Sequence, residues 1–304
     1  MTPPDWLWIP ITLWAAFAQT ARNAAQKSLT ASLGALGATL VRFLYGLPFA
    51  LLWLAAVKAV GGYAWPTLNM VFTGWVTLGA VTQIVATALL LRAMAERNFA
   101  LGVAYAKSDV IQVAVFGFVF LGDAVTGGTA AAVLIGTLGV LLLSPPDPRR
   151  PFRALLTGWT QRSALLGLGA GAGFALAAVG YRGAALALDA PFLMAAAVTL
   201  AVALTLQTVL LGGWLLARNP AVVAHTLRAW RPSLFAGFMG AAASAGWFTA
   251  TTIQSAVHVR TLGLVELLFT YVVSRRVFRE RLSRRELAGL GLLTVGLVLV
   301  TVTH

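Results

Sequence analysis

Apolar positions along this chain fall in long unbroken runs. They do not alternate as in a half-buried strand, nor form the single stripe of a surface helix. Ten runs approach or exceed the roughly 20 residues that a helix needs to cross a bilayer. They cover residues 5–25, 33–57, 68–93, 99–121, 129–144, 163–182, 191–217, 233–252, 259–278 and 287–301. Helix breakers fall between them, at Gly61-Gly62, Trp65-Pro66, Gly127-Gly128, Pro145-Pro146, Asn219-Pro220 and Pro232. Only residues 94–98 separate the third run from the fourth, which predicts a tight helical hairpin. A transmembrane barrel needs alternating strands of about ten residues, which these runs are not. The first run lacks a basic leader and a small-residue cleavage site, so it reads as a helix that stays. The pattern predicts an all-α polytopic membrane protein with ten transmembrane helices.

A polar stretch after the fifth run divides the chain into a first repeat at 1–146, a linker at 147–160 and a second repeat at 161–304. Shifting the first half by 157 positions sets Asp109 on Glu266, Asp123 on Glu280, Thr126 on Ser283, Gly139 on Gly296 and Phe17 on Phe174. Each half holds five spans, an odd number, so the second must enter the membrane with opposite orientation. Inverted repeats of this kind are a recurring transporter architecture, with the site near the midplane between the halves.

Composition narrows the class. Of 304 residues 59% are hydrophobic and 10% charged, too few polar side chains to cover a soluble globule. The +13 net charge does not indicate nucleic acid, because little water-facing surface remains to display it. Its distribution is informative. Seventeen of the 22 Lys and Arg residues fall in or beside the loops after the odd-numbered spans, with Arg22 and Lys27 assigned to the first of these loops. Only Lys58, Arg182 and Arg260 belong to the other side. By the positive-inside rule the basic loops face the cytoplasm and both termini lie outside an inner (plasma) membrane. With no Cys and three scattered His, no metal site has suitable spacing, and no cofactor is implied.

Ionisable side chains inside a bilayer are costly and ask for a reason. Arg42, Lys107, Asp109 and Glu266 qualify, either as buried pairs or as a midplane site. Tyr105, Asp109 and Gln112 share one helix face by their spacing, and Glu266 and Thr270 form the matching face of the second half. Asp109 and Glu266 are the candidates for proton coupling, since a desolvated carboxyl favours its neutral form. Trp14, Gln19, Gln83, Ser244 and Trp247 complete the candidate substrate-binding set. Glycines at 167, 169, 171 and 173 form two small-xxx-small pairs suited to close helix packing.

Val41-Arg42-Phe43-Leu44, Phe120-Leu121-Gly122-Asp123, the segment 136–139 and Phe278-Arg279-Glu280-Arg281-Leu282, followed by Gly289 and Gly296, resemble the EamA repeat of the drug/metabolite transporter superfamily. The resemblance spans nearly the whole chain. It implies ten helices, inverted repeats, a central cavity and export or exchange of small metabolites, as in the aromatic amino acid exporters called YddG. The chain departs from the family's common pattern by placing Lys107, Asp109 and Glu266 where a proline bend often stands. The expected function is secondary transport of a small amino-acid-like or charged amphipathic metabolite by alternating access, with proton coupling through the midplane acids. Its partners are that small-molecule substrate and the lipid bilayer, with the chain a monomer or a dimer. A membrane-embedded enzyme and a facilitative channel are the alternatives. The first would need acids or His clustered at an interface, and the second a ring of like charge.

Overall fold

A computed structural model of the chain describes residues 6–96, 98–107, 112, 127–143, 161–253 and 262–303. Among these residues the structure is helical, with no strand. The helices are α1 (Trp8–Leu44), α2 (Leu47–Gly61), α3 (Met70–Glu96), α4 (Phe99–Ala106), α5 (Gly127–Leu143), α6 (Arg162–Leu186), α7 (Phe192–Arg218), α8 (Pro220–Arg228), α9 (Trp230–Ile253), α10 (Val265–Arg276) and α11 (Arg284–Thr303). Among the described residues, four helical stretches are long and apolar enough by themselves to cross a membrane: Trp8–Gly61, Met70–Glu96, Arg162–Leu186 and Phe192–Arg218. Leu52, Val60, Met70, Leu134, Trp214 and Leu268 stand exposed on the outer surface. In water that much exposed apolar surface would be a liability, whereas lipid accepts it.

The first helix corrects the expected loop between spans one and two. Helix α1 continues through the polar stretch 22–32 and breaks only at Gly34, whose φ of 68° and ψ of 172° are non-helical. The Gln26 side chain donates to the Ala38 carbonyl at 2.9 Å. Twelve residues of continuous helix would hold these two about 18 Å apart, so the chain doubles back at Gly34. Glycine occupies such a left-handed conformation at no steric cost. The polar run stays helical because its side chains are satisfied locally. Ser28 and Thr30 donate to the carbonyls of Ala24 and Gln26, and Ala24, Ala25 and Ala31 favour helix. Arg22, counted with the loop as a helix end of the first run, lies well inside α1 and is buried at 5% exposure. Lys27 also lies within α1 and pairs with Glu280.

Some other helix starts carry side-chain caps. Asn98 caps α4, accepting from the Leu101 N–H at 2.8 Å, and closes the predicted α3–α4 hairpin. Ser283 and Glu286 cap α11 reciprocally: the Ser283 N–H donates to Glu286 at 2.7 Å and the Glu286 N–H to Ser283 Oγ at 3.2 Å. Glu280, beside this cap, accepts from the Phe99 N–H at 2.9 Å and from Ser274 Oγ, joining α1, α4 and α10 at one point.

The most extensive packing pairs α1 with α9, α3 with α6, and α5 with α11; α2 lies on α7, and α4 touches both α6 and α10. Helices α3 and α6 meet backbone to backbone. A Cβ on Gly180 would fall 2.8 Å from the Gly79 nitrogen, and one on Gly173 would fall 2.9 Å from Ala86 Cβ. Without a hydrophobic drive between helices in lipid, such close van der Waals contact holds them together.

Candidate functional site: a polar cavity among seven helices

Helices α1, α3, α4, α6, α7, α9 and α10 surround a cavity in two compartments. The larger, about 190 Å³, is lined by Gln19, Arg22, Asn23, Lys107 and Glu266 among others. The smaller, about 110 Å³, is lined by Tyr181, Thr199, Gln207, Gly240 and Ser244 among others. Arg42 and Gln83 line both and join them.

Each side chain reaches the cavity for a local reason. Arg22 passes over α9 at Gly240, where an added Cβ would sit 3.1 Å from Arg22 Cδ. Asn23 accepts from Arg22 Nε at 3.2 Å and from Nη2 at 2.8 Å, fixing one edge of the guanidinium. Arg42 follows the Gly34 reversal by two helical turns and donates to Thr87 Oγ1 at 3.0 Å. Lys107 ends α4, and its ammonium stands 2.6 Å from Glu266 Oε2. The same oxygen accepts from Gln19 Nε2 at 2.7 Å, while the Trp247 indole N–H donates to Gln19 Oε1 at 3.1 Å. Glu266 is fully buried, and its Oε1 has no hydrogen-bond partner among the described residues. In the smaller compartment Gln207 Nε2 donates to Gln83 Oε1 at 3.0 Å and to the Tyr181 hydroxyl at 2.8 Å, and Tyr181 donates to Gln83.

Several sequence candidates meet here. Gln19, Arg42, Gln83, Lys107, Ser244 and Glu266 line the cavity, and Trp247 reaches it through Gln19. Lys107 and Glu266 are one of the buried pairs left open by the sequence. Tyr105, Gln112, Trp14 and Thr270 line neither compartment. Tyr105 is 1% exposed in the core, its Cβ packed where Gly167 leaves room. Val103, Ala106 and Lys107 form the cavity face of α4 instead. Gln112 donates to the Leu168 carbonyl at 3.1 Å. Trp14 is 45% exposed, its ring 5.9 Å from that of Phe17. Thr270 is buried on α10 and lines neither compartment. Asp109 lies outside the described residues.

Sequence reasoning missed Arg22, Asn23, Tyr181, Thr199 and Gln207. Arg22 and Asn23 open the polar run that resembles a loop. Gln207 carried a usable signal, being an amide deep in an apolar run, the criterion that selected Gln83.

Residues 161–302 match the EamA-like transporter family. The match takes in α6 to α11, and over these residues the chain is similar to EamA-like transporters. The apolar helices, four of which among the described residues are long enough to cross a bilayer, make the chain a multi-pass membrane protein. A solved structure titled only "Crystal structure of protein" aligns with a TM-score of 0.53 at 14% identity, covering 97% of this chain and 96% of its own. That likeness concerns the fold. No curated protein matches the chain.

Proposed function

We propose that this EamA-like protein is a secondary transporter of small charged or zwitterionic metabolites in the inner membrane, working by alternating access between two inverted five-helix repeats. The observation that carries the reading is the polar cavity, which gathers Arg22, Arg42, Lys107 and Glu266 among apolar helices. Charge buried at such cost marks a pathway or a binding site more often than a structural element.

The packing supports the repeat. Under the 157-residue shift α1 corresponds to α6, α3 to α9, α2 to α7 and α5 to α11. The pairs α1–α9 and α3–α6 then exchange with each other, and α2–α7 and α5–α11 each map onto themselves. Arg42 with Thr199, and Gln83 with Gly240, are related by the same shift, and all four line the smaller compartment. A site on such an axis can face either side when the halves rock. In this reading the α3–α4 and α9–α10 hairpins gate, and Glu266 exchanges its Lys107 partner for a proton or a cargo amine.

Proteoliposome uptake across a panel of amino acids, polyamines and quaternary amines, with and without a pH gradient, tests the proposal. At least one cargo should accumulate, and Glu266→Gln should abolish the dependence on the gradient. No flux of any cargo would overturn the transporter reading. Flux with an intact gradient dependence in both Asp109→Asn and Glu266→Gln would overturn proton coupling alone.

A further inference from the structure

We propose that the cavity binds a small organic oxyanion, a carboxylate or a phosphate, through Arg22 and Arg42. The inference deepens the transporter reading and rests on it for the identity of the bound molecule as cargo. Three cationic side chains line the larger compartment, and among the described residues Glu266 is the one acid that does. Glu266 is already engaged by Lys107. Arg22 and Arg42 have neutral partners: Asn23 for the first, Thr87 for the second. Neither forms an ion pair among the described residues.

A guanidinium carries five N–H donors in a planar fork. Asn23 occupies the Nε edge of Arg22, and Thr87 takes a single bond from Arg42 Nη1. The remaining donors belong to groups that line one compartment, where a second charge of the same sign raises the electrostatic cost. An oxyanion removes that cost and fits the fork bidentately, which neither water nor an uncharged cargo does. The neighbouring compartment supplies an independent sign of a missing ligand. Thr199 is 2% exposed, lines that compartment, and its hydroxyl has no hydrogen-bond partner among the described residues. A hydroxyl or amine on the body of the cargo would satisfy it. Compartments of about 190 and 110 Å³ fall below the roughly 300–1,000 Å³ of drug-sized sites, so the cargo is small.

Ten tryptophans make intrinsic fluorescence a convenient readout. The purified full-length protein is titrated with succinate, glycerol 3-phosphate, succinamide and putrescine, alongside thermal-shift measurements. Succinate or glycerol 3-phosphate should bind saturably, and the arm that responds tells carboxylate from phosphate. Affinity should fall at least about tenfold in Arg22→Gln and in Arg42→Gln. Arg42→Lys, which keeps the charge but not the fork, should fall part of the way, and Lys58→Gln should match the wild type. Succinamide binding as tightly as succinate, or anion binding that survives both glutamine substitutions, overturns the proposal. The succinate–succinamide comparison in the wild type decides the matter even where a variant fails to fold. Arginine-dependent binding without flux in proteoliposomes would leave the anion site standing and sink the transporter reading. Flux of an amine cargo that ignores both arginines would do the reverse.

Discussion

Glu266 holds its buried charge through one oxygen. Lys107 and Gln19 both address Oε2, and Oε1 is left without a partner among the described residues. Removing one member of a buried ion pair costs about 3–5 kcal/mol, because the other charge is stranded, whereas replacing both is far milder. Lys107→Met should therefore lower stability by about that amount, and Lys107→Met with Glu266→Gln should recover most of it. Thermal unfolding of the four members of this cycle in detergent checks the coupling. These two residues were legible from the sequence because charge in an apolar run asks for a partner. Arg22 was not, because Arg22, Asn23, Gln26, Lys27 and Ser28 together resemble a loop. Only the helix geometry shows that the run is satisfied within the fold.

The contact between α3 and α6 leaves no room for a single added methyl group. A Cβ on Gly180 would meet backbone atoms of α3, the Gly79 nitrogen at 2.8 Å and the Trp75 oxygen at 2.9 Å. Backbone cannot swing aside as a side chain does, so Gly180→Ala should destabilise by about 1–3 kcal/mol. Gly74, on the same helix α3, has nothing within 4 Å of its Cβ position. Gly74→Ala should be neutral or stabilising by up to about 1 kcal/mol, since alanine is the better helix former. Melting curves of the two variants side by side test the contrast. The sequence pointed to close packing on α6 but centred it on residues 167–173. Small-residue spacing says that a helix face can approach a neighbour, and says nothing of which neighbour. Gly167 accommodates Tyr105 of α4, while Gly173, Gly180 and Gly183 meet α3.

At the scale of the whole molecule, taking Arg22 and Lys27 into α1 leaves fifteen of the 22 Lys and Arg residues in or beside the loops after the odd-numbered runs. On the ten-span reading these residues share one side, among them Arg275, Arg276, Arg279 and Arg281 at the α10–α11 connection. A reporter fused after His304 should therefore be accessible from outside the cell, and a cytoplasmic readout would reverse the assigned orientation. The helical class and the positions of most described helices could be read from apolar run lengths, because lipid requires about 20 such residues for each crossing. Helix pairing could not. It depends on which small residues face one another across the bundle.

The reversal at Gly34 also bears on how the protein is made. With a single residue between two helices, the first two spans have no tether long enough for one to enter the bilayer well before the other. We expect them to insert together as a hairpin. The Gln26 amide is then already bonded to Ala38, and Arg22 and Arg42 travel inward on two arms of the same unit. A side chain larger than glycine at position 34 would be felt first in membrane integration, as a loss of inserted protein during synthesis, before any transport defect could be measured.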